Sequence, residues 1–286
     1  MTARAILHDL LDSLAAGDPS GVRWATDVRC TENNVPLPVG DGAWQTVDAV
    51  DRLDIWIVAE RAASVNGILR EGMDWSPFCA RIALDSARRV SEYELVVIRG
   101  KDAAGAFHDA DLGLRPEFGL EVNPGSRTAA AEMVRLVDGY FSTLQQNTGT
   151  LKTRFHADCR RRENGVWTTQ NSDPNAPPTM RMDCAASFEL GFFRGNERVR
   201  GRRYPIVDEE NGLVLAGAFI DHSGRLKEYT LTDGRTIPAG FQRPHTYAML
   251  EAFKIVGGEL VAIEAVFHPV PYRMMASWPT VDGDGR

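Results

Sequence analysis

Residues able to exchange protons are concentrated in the second half of this 286-residue chain, which holds four of the six histidines. In the alternating pattern of a β-strand, His245 shares a face with Tyr247 and Glu251, whereas His268 shares one with Glu264. Because an imidazole titrates near neutrality, a histidine and a carboxylate on one face can pass a proton between them. We therefore expect His245 and His268 to act as acid–base catalysts.

Glu251 differs from most carboxylates in the chain because its neighbours on the same strand face are mainly apolar. Those neighbours are Tyr247, Met249, Phe253 and Ile255. Loss of hydration raises the pKa of such a carboxyl toward the operating pH, which is the property that a general acid or base requires. The pattern predicts that Glu251 lies on an apolar strand face.

The sequence gives little support for a cofactor. Three of the histidines with Glu264 could bind a metal, but their spacing matches no helical H-x-x-x-H pattern. Neither of the phosphate-binding patterns G-x-x-x-x-G-K-S/T and G-x-G-x-x-G occurs. The four cysteines form no C-x-x-C pair, which favours buried, reduced thiols over zinc ligands or disulfides. We expect neither a metal nor another cofactor.

The charge balance of the chain argues against a nucleic-acid partner. Acidic residues outnumber basic ones by 39 to 32, and the formal net charge is −7. The one basic cluster, residues 160–162, stops at Glu163. No segment approaches the ~18 apolar residues of a membrane span, and the first residues contain no apolar signal region. We expect a cytoplasmic protein that binds neither nucleic acid nor a membrane.

An internal repeat organises the chain. Residues 27–33 align with 158–164 at a shift of 131, and residues 90–96 align with 260–266 at a shift of 170. An amphipathic helix is predicted before the first pair of segments in both halves. The apolar positions of these helices are Ile6, Leu10, Leu11 and Leu14 in the first half, and Met133, Leu136, Val137, Tyr140, Phe141 and Leu144 in the second.

Each half continues with strands after its helix. Residues 199–208 and 213–221 predict two strands around an Asn-Gly turn, and Gly257-Gly258 predicts a further hairpin. The fold class is therefore α+β. We predict a first domain over residues 1–110, a linker over 111–125 and a second domain over 126–286.

The order of helix, turn, short strand and long hairpins, together with the closing segment 253–264, resembles the nuclear transport factor 2-like superfamily. This superfamily includes SnoaL-like cyclases, ketosteroid isomerase, scytalone dehydratase and limonene epoxide hydrolase. The resemblance implies two tandem cone-shaped domains, each with N-terminal helices packed on a bent antiparallel sheet around an apolar pocket. It also implies either a homodimer or a monomer in which the two halves form an internal pseudo-dimer.

The resemblance to ketosteroid isomerase implies three site residues in the second half. A helix tyrosine falls at Tyr140, a carboxylate base at Glu163 and a carboxylic acid on a later strand at Glu251. The first half has Leu10 and Ala80 at the helix and strand positions, and neither can exchange a proton. The second half is therefore the predicted catalytic domain.

These residues imply a cofactor-independent lyase or isomerase that transfers protons on a small hydrophobic or aromatic molecule. Isomerisation, dehydration and retro-aldol cleavage all fit this chemistry. The residues expected to bind the substrate are Tyr247, Phe253, Trp167 and Glu264. A binding module without catalysis is one alternative. A hydrolase is another, because Arg203 and Asp208 resemble the Arg–Asp pair of epoxide hydrolase relatives.

Overall fold

Each half of the chain folds as a helix followed by a six-stranded sheet, so the fold is α+β. The computed structural model describes residues 1–100 and 113–281. Helix α1 spans Ala3–Ala15 and helix α2 spans Ala130–Leu144. The predicted apolar positions of both helices join the apolar cluster of the sheet in the same half.

The remaining elements of the two halves correspond in order. The strands of the first half are β1 (Trp24–Glu32), β2 (Val35–Pro36), β3 (Ala49–Ala59), β4 (Ala62–Glu71), β5 (Asp74–Leu84) and β6 (Val90–Val97). Those of the second half are β7 (Phe155–Glu163), β8 (Val166–Trp167), β9 (Arg198–Asp208), β10 (Leu213–His222), β11 (Glu228–Thr230), β12 (Thr236–Pro238), β13 (His245–Val256) and β14 (Glu259–Val270), with a third helix, α3, at Cys184–Glu189. Short 3-10 helices span Pro19–Gly21, Gly42–Gln45, Pro116–Gly119, Pro124–Ser126 and Pro178–Arg181. Within residues 1–100 and 113–281, no helix is both long enough and apolar enough to cross a membrane.

The two large sheets have the same strand order, as the sequence repeat predicts. The orders are β2-β1-β6-β5-β4-β3 and β8-β7-β14-β13-β10-β9. Trp24 lies opposite Val90 in the first sheet, and Phe155 lies opposite Leu260 in the second. These pairs differ by the same shifts of 131 and 170 that align the sequence.

The sheets are mixed rather than antiparallel throughout, which corrects one expectation. β1 pairs with β6 in parallel, and β7 pairs with β14 in parallel, whereas the other pairs are antiparallel. The reason is the chain path. After β2 the chain crosses to the far edge of the sheet, and three successive hairpins return it beside β1 in the same direction.

The two sheets pack against each other through an apolar layer to which both halves contribute. Its members include Ile55, Ile57, Cys79, Val96, Ile206, Leu215, Leu250, Ala252 and Val266. Within this layer Glu94 forms ion pairs with Arg81 of its own half and with Arg203 of the other. The described part of the predicted linker, from residue 113 onward, buries Arg115 and Phe118 against this layer. The predicted boundary at residue 110 lies outside the described residues.

Candidate functional site

A hydrogen bond joins two predicted site residues in the interior of the second half. Helix α2 places Tyr140, and strand β13 places Glu251 opposite Ala216 and Ala265, whose small side chains leave room for the carboxyl group. The Tyr140 hydroxyl donates to Glu251 Oε1 over 3.1 Å, and both residues are at most 1% exposed. The predicted apolar face of β13 is confirmed, because the neighbours of Glu251 belong to the core of the second half.

Burial dominates the electrostatics of this pair. Loss of hydration and then the nearby Glu163 raise the pKa of Glu251, whereas Arg161 and the Tyr140 hydroxyl lower it, and together they bring the pKa to about 8. Burial and the Glu251 charge also raise the pKa of Tyr140. At neutral pH the interior therefore holds a neutral carboxylic acid beside a neutral phenol, and both can donate a hydrogen bond.

Strand β7 brings Glu163 to the same cluster together with an arginine that the sequence analysis did not select. Glu163 is partly buried, and its Oε1 lies 3.5 Å from Arg161 Nε. The Arg161 guanidinium is fully buried and donates from Nε to Thr168 Oγ1 over 3.1 Å. Strand alternation was the signal that could have found it, because Cys159, Arg161 and Glu163 share one face.

His245 lies at the open end of the same strand face. Its ring contacts that of Tyr247 with centroids 4.7 Å apart and stacks on His222 at 4.7 Å. The buried Tyr247 hydroxyl has no hydrogen-bond partner among the described residues, and its burial, followed by the charge of Glu163, raises its pKa. The structure thus brings Tyr140, Glu163, Glu251, Tyr247 and His245 to one face of one sheet.

His222 is the buried last residue of β10. Its strand position lies directly opposite His245, which explains the stacking. Burial, and then the neighbouring imidazole, lower the pKa of His222 to about 4, so this ring is neutral at physiological pH. His222 is therefore a polar residue of the site that the spacing of residues in the sequence did not predict.

Three predicted residues lie on the opposite face of the sheet and do not join this cluster. Glu264 and His268 alternate with the inward-facing Ala265 and Phe267, so they face the layer between the sheets. Glu264 is buried between the guanidinium groups of Arg162 and Arg115. The expectation that Glu264 and His268 belong to the pocket was wrong, because alternation shows which residues share a face but not which face is inward.

Trp167 is the third residue on the opposite face. It pairs with Arg162 across β7 and β8 and stacks on Arg160, whose guanidinium lies 3.7 Å from the ring centroid. Phe253, by contrast, is on the expected face, where its ring contacts Tyr140 at 5.2 Å as part of the core.

The Arg–Asp pair of the hydrolase alternative does not form. Arg203 is buried against Glu94 of the first half. Asp208 accepts from Asn211 at the end of the β9–β10 hairpin. Arg203 therefore lies between the two sheets and Asp208 lies at a hairpin end, so the two residues do not form one site.

Two long connections of the second half form a cavity of about 950 Å³. These connections are residues 168–197 and 223–244, where the first half has only residues 37–48 and 72–73. The apolar and aromatic lining residues are Met180, Phe192, Phe193, Leu226, Tyr229 and Phe241. The cavity is thus a feature of the second half that the repeat does not predict.

Two aromatic rings separate the cavity from the buried cluster. Phe193 lines the cavity on one side, and on the other its centroid lies 4.7 Å from the Arg161 guanidinium. Phe241 also lines the cavity and contacts His222 at 4.4 Å and His245 at 5.2 Å. A ligand in the cavity would therefore reach the carboxyl groups only after the Phe193 ring moves.

The equivalent interior of the first half is filled. Ala80 lies opposite Leu95 just as Glu251 lies opposite Ala265, so it occupies the strand position of the acid. Glu32, the counterpart of Glu163, accepts from the Ala43 N–H and from Arg99. The cavity beside Glu32 measures only about 10 Å³.

Candidate metal ligands lie elsewhere. Within the described parts of the chain, the one group of acidic and histidine side chains close enough to share an ion is His8, Asp9 and Asp12, all exposed on α1.

Comparison with known proteins relates the second half to a family without a known function. A profile of a domain of unknown function, DUF8021, matches residues 126–267. No curated protein sequence is significantly similar to the chain. The chain is similar in structure to an uncharacterised bacterial protein with a cystatin-like fold from Silicibacter pomeroyi, at 17% identity over 34% of this chain and 75% of that chain, with a TM-score of 0.30. It is also similar to a steroid delta-isomerase from Pseudomonas aeruginosa, at 18% identity over 35% and 81% of the two chains, with a TM-score of 0.27. Likenesses this distant carry no functional assignment.

Proposed function

We propose that the second half is a proton-transfer site for a small, mainly apolar organic molecule, and that the protein is a cofactor-independent lyase or isomerase. The observation that carries this proposal is the fully buried Glu251, which is hydrogen-bonded to Tyr140 and has a pKa raised to about 8. Burial of a carboxylic acid costs free energy unless the acid forms hydrogen bonds. A carboxyl group with a strongly raised pKa in a protein interior is typical of groups that exchange protons.

The chemistry follows from the roles of three side chains. Glu163 takes a proton from a carbon next to a carbonyl group, and the electron pair of the broken C–H bond moves onto the carbonyl oxygen. Tyr140 and the protonated Glu251 donate hydrogen bonds to the enolate that forms. Return of the proton to another carbon gives isomerisation, whereas departure of a β-hydroxyl group, which takes up the proton and leaves as water, gives dehydration. In a retro-aldol cleavage Glu163 would instead take the proton of a β-hydroxyl group, and the electron pair of the broken C–C bond would move onto the carbonyl oxygen.

We propose that both halves are nuclear transport factor 2-like domains and that the second one is catalytic. Each half has a helix on one sheet face, and the opposite faces of the two sheets pack together. We propose that this contact is an internal pseudo-dimer within one chain. A ligand would enter through the cavity of about 950 Å³ and displace the Phe193 ring.

A non-catalytic binding module is the second candidate. It is favoured by the cavity lining, which includes neither Glu163 nor Glu251. A carrier would hold its ligand against the aromatic wall without any contact with the buried carboxyl groups.

Exchange of solvent deuterium into a panel of small aryl ketones, measured by proton NMR, distinguishes the enzyme from the carrier. We expect the wild type to exchange the acidic C–H of at least one ketone, and Glu163→Gln to lower the rate about 10²- to 10⁴-fold while the ligand still binds. Glu32→Gln, the same change at the equivalent position of the first half, is the control and should retain the rate. Binding without exchange by the wild type would support the carrier instead.

A further inference from the structure

Arg161 is a buried charge whose hydrogen bonds, to Thr168 and Tyr140, leave one of its nitrogens unused. Its side chain is 1% exposed, yet its Nη1 group has no hydrogen-bond partner among the described residues. The nearest carboxylate, that of Glu163, lies 3.5 Å from Nε, beyond a normal hydrogen bond between charged groups. A buried guanidinium with an unused donor is unfavourable unless a ligand supplies the acceptor.

Glu251, in the same cluster, also has a buried polar atom without a hydrogen-bond partner among the described residues. Its Oε1 accepts from Tyr140, but its buried Oε2 has no partner among the described residues. The Arg161 charge is close enough to Glu251 to lower its pKa. The interior therefore offers two unused polar groups, a guanidinium N–H and the second oxygen of a carboxylic acid.

The cavity in front of these groups has aromatic walls. Phe192, Phe193, Tyr229 and Phe241 line it, and the Phe193 ring covers the Arg161 guanidinium with its centroid 4.7 Å away. An aromatic ring can replace another on a guanidinium face with little loss of energy. Flat aromatic ligands fit such a wall better than flexible aliphatic ones.

We propose that the second half binds an aromatic carboxylate, whose ring replaces that of Phe193 beside the Arg161 guanidinium and whose carboxylate accepts from Arg161 Nη1 and from the protonated Oε2 of Glu251. A carboxylate satisfies both unused groups at once, and a guanidinium is the side chain best suited to recognise it. This inference rests on the proposed function in one respect, because it names the substrate class of the same site.

Calorimetric titration with 2-naphthoate and with neutral 2-naphthamide tests the charge preference directly. We expect the wild type to bind the carboxylate roughly tenfold more tightly or better. Arg161→Gln should remove that preference and leave amide binding unchanged. Arg194→Gln, which removes another arginine that lines the cavity, is the matched control and should keep the preference. Equal affinity of the wild type for the two probes, a preference that survives in Arg161→Gln, or a preference lost in Arg194→Gln alone would overturn the proposal.

A pH series on the unaltered protein makes the test independent of whether Arg161→Gln folds. Glu251 faces Tyr140 from α2, Arg161 and Glu163 from β7 and Cys184 from α3. Above about pH 8 the carboxyl of Glu251 ionises and would repel a bound carboxylate, so naphthoate affinity should fall while naphthamide affinity stays constant. Parallel curves for the two probes would contradict the proposed contact.

The outcomes also distinguish this inference from the proposed function. Naphthoate binding that depends on Arg161, in a protein that exchanges no C–H, would support the inference and refute catalysis. Exchange that depends on Glu163, in a protein with no preference for the carboxylate, would refute the inference and leave catalysis standing.

Discussion

Glu251 links the stability of the folded protein to pH. Its pKa is about 8 when folded, against an ordinary value of 4.5, so the folded state holds the proton more tightly than the unfolded chain does. The resulting stabilisation is complete below about pH 4.5 and is lost as the pH rises toward 8. The pH dependence of the unfolding free energy therefore tests the raised pKa of Glu251 without any substrate.

We predict that the unfolding free energy of the wild type falls relative to that of Glu251→Gln by about 1 kcal/mol per pH unit between about pH 5 and pH 8. Above about pH 8 the difference should be constant. Urea denaturation of both proteins across this range measures it. The opposing effect of His222, whose pKa is lowered, cancels in the difference. A difference independent of pH would show that Glu251 titrates normally.

Tyr140→Phe tests the hydrogen bond within the pair. Because the Tyr140 hydroxyl lowers the pKa of Glu251, its removal should raise that pKa further and cost about 1 to 3 kcal/mol of stability. Carboxyl NMR and urea denaturation provide the two readouts. Tyr204→Phe, which removes a half-buried hydroxyl that donates to Asp138, is the control and should leave the pKa of Glu251 unchanged.

At the scale of elements, periodicity predicted most of what the structure contains. The helical period predicted the buried faces of α1 and α2, and the Asn-Gly turn predicted the hairpin around Asn211. Period-2 alternation predicted the inward face of β13. The inward direction of β14 could not be predicted in this way, and Glu264 was therefore assigned to the wrong side. Arg161 was overlooked because three consecutive arginines resemble a solvated cluster, although strand alternation turns the middle one inward.

The β10–β13 connection is predicted to be needed for ligand binding but not for the sheet. In the first half the equivalent strands are joined by only residues 72–73, and His222 already lies opposite His245. Replacement of residues 223–244 by Asn-Gly should therefore preserve the far-ultraviolet circular dichroism of the sheets. It should abolish the binding of 2-naphthamide, because the deleted segment supplies one wall of the cavity. Retained binding would place the ligand elsewhere.

For the molecule as a whole, the buried charges between the sheets are predicted to couple the two halves. Glu94 compensates Arg81 and Arg203, so Glu94→Gln would remove the ion-pair partner of the buried Arg203, would leave Arg81 with Glu92 alone, and would cost about 3 to 5 kcal/mol. Calorimetry should show one unfolding transition at a lower temperature. Asp233→Asn, which removes the exposed partner of Arg235, should cost less than about 1 kcal/mol. Two separate transitions in the wild type would show that the halves unfold independently.

The second half is proposed to hold a neutral acid in an apolar interior, and carboxyl carbon NMR of protein labelled at glutamate tests this most directly. The signal absent from Glu251→Gln identifies the residue, and its shift is followed from about pH 4 to pH 10. A midpoint near 8 is the predicted result. A midpoint near the ordinary value of 4.5 would mean that Glu251 is ionised at neutral pH, and the proposed acid and hydrogen-bond donor would not exist.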